Sequence, residues 1–408
     1  MSRDMFRFLA MGVLLAAFIF GCAPQEAAKC TSPEDNPQHH YLMGMKALEE
    51  GKIDVAQSKF ERAVYCEDKF APAYSGLAIV TAERAKRQTD AGFRKVETTR
   101  ALDNLKKAEK LADTAEDKFD HLTAGIRVYT TLKTSEWLKK AEEAFGDIRM
   151  LKLDERKLVY YQGTEAADYF MGIAYLEALE FRQARDKFAD VLKAKREGKW
   201  HEKAEKAHKR VDKIVRAMAG ITVGDVGKQI AVKNSVTRAD LAALLIDEMK
   251  LDKLFARFIP QSKLDAIMPE FIPADILNHH FREEILTLMK WKIRGFEAPQ
   301  DPVTKAPLFK PDSVVKRVEM ALMLEDILIK IVGDENVATR YYKNSVSDFA
   351  DVEATKYYSN AVKTVVSTGL METEKGYPPE FRLFVPVDGA DALIAIRELI
   401  YIRDKGRY

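Results

Sequence analysis

From His39 to Ala219 the apolar residues recur at spacings of three and four, with almost no proline and no alternating strand pattern. That rhythm predicts helices with one buried face each. The segments pair as about four helical hairpins. YLMGMKALEEGKIDVAQSKFERAVYCED carries Gly44, a turn at Gly51, then Ala56, Phe60 and Ala63 on one face. DYFMGIAYLEALEFRQARDKFADVL repeats this with Gly172, Tyr175, Ala184 and Phe188, and has Val191 in place of the last small residue. Small residues let two helices approach, and the phenylalanine plugs the next gap. Between them, APAYSGLAIVTAERAK pairs with ALDNLKKAEKLA, and KFDHLTAGIRVYTTL with EWLKKAEEAFGDIRMLKL.

The pattern changes near residue 219, where proline and glycine return and the predicted helices shorten. Three stretches repeat weakly: VTRADLAALLIDEMKL from Val236, VKRVEMALMLEDILIKIV from Val315 and VDGADALIAIRELIYI from Val387. Each reads as a helix entered from an extended loop. Thr237 and Asp240 have capping-box spacing, and an acid recurs there in every copy (Asp240, Glu319, Asp391), which is helix-start chemistry. Phe309 and Phe381 lie seven residues before Lys316 and Asp388. A preceding helix recurs too: ADILNHHFREEILTLMKWKIRG and ADVEATKYYSNAVKTVVSTGL open Ala-Asp-aliphatic at Asp275 and Asp351 and close near Gly295 and Gly369. For the first copy the preceding helix would be VDKIVRAMAGI, fused to the end of the hairpin array. The whole chain is therefore expected to be all-α, with hairpin repeats over 39–218 and a three-unit helical module over 219–408.

The hairpins resemble tetratricopeptide repeats. The resemblance implies a right-handed stack whose concave groove holds a peptide or another protein. The C-terminal module resembles the S-layer homology domain, most closely in VTRADLAALL and SDFADVEATKYYSNAVKTVVSTGLM. That family has three helix–loop–helix units and binds peptidoglycan or wall-linked polysaccharide without a covalent bond. The resemblance implies polymer grooves between units, at the start of each second helix. Thr237 would cap the helix and touch sugar, while Arg238 and Arg317 would grip a polymer carboxylate with their planar forks. Gly389 stands at the third arginine position, so at most two of the three grooves should work.

Residues 1–21 are expected to be removed. Arg3 and Arg7 precede the apolar run Phe8 to Phe20, which is too short for a comfortable transmembrane helix and matches a secretory signal. Ile19-Phe20-Gly21-Cys22 then resembles the lipobox of bacterial lipoproteins. It implies a lipid on Cys22 that holds the mature protein to a membrane, and two or three chains make a firm anchor. Ala23 favours the outer membrane in a cell that has one. Residues 22–38 are small, polar and proline-bearing, and read as a flexible tether. Cys30 and Cys66 either form a disulfide across tether and first hairpin or remain a free thiol and a small helix residue.

Composition narrows the function further. A net charge of +2 gives no footprint for nucleic acid or a polybasic membrane surface. KAKREGKWHEKAEKAHKR interleaves lysine and glutamate and reads as a solvated helix face. GITVGDVGKQ fails as a phosphate loop because Thr222 and Gln229 break the motif, and there is no G-x-S-x-G. The histidines have no zinc spacing. The expectation is a non-enzymatic envelope lipoprotein with no metal and no cofactor. It would join a membrane to the cell wall and recruit a protein partner through its repeats. The alternative is an assembly or pilot lipoprotein for a secretion, pilus or outer-membrane complex.

Overall fold

The computed structural model describes residue 30 and residues 32–194, 197–257, 259–264, 266–342 and 346–405. The described chain is all-α, and its only strand-like pairings are isolated bridges. None of its helices is long and apolar enough to cross a membrane. Two compact units emerge, one reaching Glu177 and the other beginning at Ala178, with the residues around Lys193 counted in the first.

The first unit is a row of hairpins. Helix α1 (Pro37–Glu49) pairs with α2 (Ile53–Cys66), α3 (Ala71–Arg87) with α4 (Ala91–Leu111), and α5 (Ala115–Leu132) with α6 (Trp137–Met150), and α7 (Glu165–Glu177) follows. The first helix of each hairpin packs on the first helix of the next. Phe60 is fully buried where α1 and α3 come together. A Cβ added to Gly44 or Gly76 would stand 2.5 or 2.4 Å from its ring, so both glycines make room for the plug that the spacing predicts.

Part of the segment 22–38, expected to be a tether, is held to the first hairpin, while residues 22–29 and 31 lie outside the described residues. Cys30 is bonded to Cys66, with Cα atoms 5.4 Å apart. Arg62 donates to both Asp35 oxygens at 2.9 and 2.6 Å, His40 Nε2 lies 2.8 Å from Asp35 Oδ1, and Asn36 caps α1. The Arg62 guanidinium, with His40 beside it, holds the Asp35 carboxyl well below its ordinary range. Polar residues that looked like linker are therefore clamped against α2.

The second unit holds α8 (Phe181–Lys193), α9 (Lys199–Ala217), α10 (Asp225–Ala231), α11 (Arg238–Ala243, running into a π-turn Leu244–Glu248), α12 (Leu251–Ala256), α13 (Gln261–Leu264), α14 (Arg282–Lys290), α15 (Arg317–Val332), α16 (Ser359–Ser367) and α17 (Gly389–Lys405). The boundary expected after residue 218 moves upstream, because α9 packs on α17. Its buried stripe is Trp200, Ala204, Val211, Ile214 and Ala217. VDKIVRA forms the end of α9 and is followed by Gly220 with positive φ, as α14 is by Gly295 and α16 by Gly369; the short α10 intervenes before the first motif.

Candidate functional site

The three motifs found in the sequence meet in space. Val236 N donates to Val387 O (2.8 Å), Val387 N to Val315 O (3.0 Å), and Val315 N to Val236 O (2.9 Å). Each motif thus gives one hydrogen bond and receives one, closing a ring of three fully buried valines. Two residues on, the circuit runs the other way: Arg238 N to Ser313 O, Arg317 N to Val385 O, Gly389 N to Lys233 O. The second helices α11, α15 and α17 start from this ring.

Their caps are as the spacing predicts. Thr237 Oγ1 accepts from Asp240 N while Asp240 accepts from Thr237 N. Lys316 N donates to Glu319, and Asp391 N to Asp388. The recurring aspartates have a role the sequence did not disclose. Asp275 accepts from Phe309 N and Lys310 N, and Asp351 from Phe381 N and Arg382 N. Each carboxylate thereby fixes the loop that delivers a fully buried phenylalanine.

The two arginines lie on those rings. Arg238 stands 4.5 Å over the Phe309 ring and Arg317 4.6 Å over Phe381. Arg238 donates to the carbonyls of Phe309, Gly295 and Glu297, and Arg317 to those of Phe381 and Glu372. Burial pulls both guanidiniums below their ordinary pKa. The forks expected to hold a polymer carboxylate are engaged with backbone, locking each copy's second helix to the loop of the next. Arg238 does line a cavity of about 350 Å³, but Glu297 and Glu319 line it too, and its other cation, Arg294, is paired with Glu325 at 3.0 Å.

The cations lie where the sequence reading excluded them. Gly389 begins α17 because a Cβ there would meet the Ile230 carbonyl oxygen at 1.8 Å, so no arginine fits. Beside it is a cavity of about 340 Å³ lined by Lys206, Lys209, Arg210 and Lys213 of α9, by Lys233 and Asn234, and by a single carboxylate, Asp388. Lys213 Nζ sits 2.7 Å from both Asp388 and Asp391. Burial opposes its charge, yet the two carboxylates prevail and raise its pKa. Lys233 pairs with buried Asp240 at 2.7 Å, and Arg210 donates to the Val232 carbonyl. Lys209 is exposed and makes no ion pair among the described residues.

A signal for this groove was present in the sequence. Residues 206, 209, 210 and 213 follow the i, i+3, i+4, i+7 spacing of one helix face. Glutamates interleaved along the chain hid that stripe, and one of them, Glu202, pairs with Lys206 at 2.7 Å. Cys30 and Cys66 are brought together; their sulfurs lie with an Asp35 oxygen within 4.8 Å, but an oxidised pair has no thiolate to offer a metal. Cys22 lies outside the described residues.

No family model matches the chain, and the comparisons with curated proteins and with solved structures found no match either.

Proposed function

We propose that this chain is a lipid-anchored protein of the bacterial cell envelope. Its second unit grips an anionic wall polymer and its hairpin array recruits a protein partner. The observation that carries the reading is the groove between α9 and the start of α17, lined by five cations of which Lys206, Lys213 and Lys233 are paired with carboxylates, while Lys209 and Arg210 make no ion pair among the described residues. The peptidoglycan or wall-linked polysaccharide expected from the S-layer homology resemblance supplies carboxylates or phosphates along a repeating chain. Such a ligand suits several adjacent cations better than it suits one fork, since each exposed charge contributes little alone. A surface groove also lets the polymer pass through without threading an end. The tetratricopeptide-like hairpins support the second half of the reading, and the lipobox supports the anchor at Cys22. Together they describe a tie between membrane and wall, on the periplasmic face of the outer membrane where the cell has one.

Two measurements test the reading. Cys22→Ser should release the protein to the soluble fraction or leave its signal uncleaved; a mature-sized protein still in the membrane contradicts the anchor. The Cys22→Ser protein should co-sediment with purified walls in low salt and be released as ionic strength rises toward 0.5 M, where the screening length falls to roughly 4 Å. No sedimentation at low salt would favour the assembly-factor alternative.

A further inference from the structure

Where the chain enters its first hairpin, four side chains of metal-ligand type converge. The Cys30 and Cys66 sulfurs and an Asp35 oxygen lie within 4.8 Å of one another, with Cys66 Sγ 3.8 Å from Asp35 Oδ1. His40 Nε2 stands 2.8 Å from that same oxygen. The His40 residue is only 7% exposed, and its Nδ1 has no partner among the described residues, so the ring is tied through Asp35. Arg62 holds both oxygens of the carboxylate, at 2.9 and 2.6 Å. Three of the donors come from the entry to α1 and its first turn, and the fourth is the last residue of α2. The group therefore assembles only in the fold, and no histidine spacing announces it.

We propose that, with its two cysteines reduced, the protein binds one Zn²⁺ through Cys30, Cys66, Asp35 and His40, and that closing the disulfide expels the ion. The bond seen in the structure and the zinc site are alternative states of the same residues. Thiolate, imidazole and carboxylate are the donors zinc takes in tetrahedral sites. Bonds of about 2.0–2.3 Å put neighbouring donors roughly 3.3–3.8 Å apart. Cys66 and Asp35 already have that spacing; His40 withdraws slightly, and the sulfurs part once their bond is broken. Charge balances as well, since two thiolates and one carboxylate offset the dication and the Arg62 guanidinium. Arg62 is a positioning residue, orienting Asp35 as outer-shell partners orient metal ligands. The chain is synthesised with its thiols reduced, so the zinc form precedes the bond. In the exchange, the disulfide of an oxidising partner accepts two electrons and breaks to two thiolates. The Cys30–Cys66 bond forms, both zinc–sulfur bonds break, and the ion, left with Asp35 and His40, dissociates. The reverse step takes its electrons from a dithiol reductant.

The zinc site is independent of what the second unit binds, and its test is separate. The Cys22→Ser chain, whose only thiols are Cys30 and Cys66, is reduced with a phosphine and titrated with Co²⁺ and then with Zn²⁺. One ion per chain should bind, and Co²⁺ should show the thiolate charge-transfer and ligand-field bands of a tetrahedral site. Cys66→Ser should weaken Zn²⁺ about 100-fold or more, and His40→Gln and Asp35→Asn about tenfold or more each, with folding checked by circular dichroism. Oxidised glutathione should release the ion from the parent. A bare pair of thiols would bind equally well in His40→Gln, Asp35→Asn and the parent, and that result would overturn the four-donor site. So would one ion shared by two chains, an octahedral or absent cobalt spectrum, or zinc retained after the disulfide has closed. The parent's cobalt spectrum needs no variant, so it decides the donor set even where a substitution prevents folding.

Discussion

Arginine at the start of a second helix was legible as a functional cation, and the structure uses it as mortar. Arg238 and Arg317 each combine an aromatic face with backbone carbonyls. Hydrogen bonds from a charged donor contribute about 1.5–3 kcal/mol and a part-buried cation–π contact about 0.5–2 kcal/mol. Arg317→Ala should therefore destabilise the second unit by about 2–4 kcal/mol in urea unfolding, whereas Lys209→Ala, exposed and unpaired, should stay within about 0.5 kcal/mol. Equal effects would mean that the stacked geometry contributes nothing. The sequence singled out Arg238 and Arg317 but could not say which way a fork turns, because that depends on Phe309 and Phe381 arriving from loops more than sixty residues on. Asp120 carries a second prediction. Burial raises its folded pKa to about 7, above the unfolded value near 3.9. Between those values the folded protein holds a proton that the unfolded chain has lost, so this group's contribution is complete below about pH 4 and declines as pH rises to about 7. Melting of wild type and Asp120→Asn from pH 4.5 to 8 should show the wild type losing more stability; parallel curves would refute the shift.

Among the helices, two close approaches decide what the sequence can tolerate. Gly44→Ala should gain up to about 1 kcal/mol of helix propensity. The new Cβ, however, falls 2.5 Å from the Phe60 ring, which is wedged and cannot withdraw freely, and overpacking of this kind costs about 1–3 kcal/mol. The net effect should be destabilising by chemical denaturation, and a stabilised Gly44→Ala would show that α1 and α3 have slack. Gly389 is the stricter case, since the obstacle is backbone. Gly389→Arg restores the motif on paper, yet it should lose about 3 kcal/mol or more, or fail to fold. The hairpin pattern and the three motif helices were readable because apolar periodicity and caps are local. The upstream reach of the second unit was not, because the apolar stripe of α9 before VDKIVRAMAGI is equally consistent with a last repeat helix and with the flank of the three-motif ring. Only the partner, α17, distinguishes them. The clamp at Asp35 was hidden for the same reason: its charge partner Arg62 lies 27 residues along the chain.

As a whole the chain combines a hairpin array closed at its start by the Cys30–Cys66 bond with a ring of three motif copies. A loop the length of the Cys30–Cys66 separation, 36 residues, corresponds to about 4 kcal/mol of unfolded-state constraint. The ring explains why degenerate copies persist together: each supplies a hydrogen bond that the next requires, so a copy can lose its arginine but not its place. The central claim is that the wall polymer is held by the α9 groove and not by the motif arginines. The most direct test is equilibrium binding of the soluble Cys22→Ser protein to purified walls, with Lys209→Glu/Arg210→Glu compared with Arg238→Lys/Arg317→Lys at matched folding. The account predicts that the α9 double variant loses about tenfold or more in affinity wherever it is folded, while the arginine double variant, although less stable, binds walls normally wherever it is folded. Normal binding by the α9 variant together with loss in the folded arginine variant would contradict it.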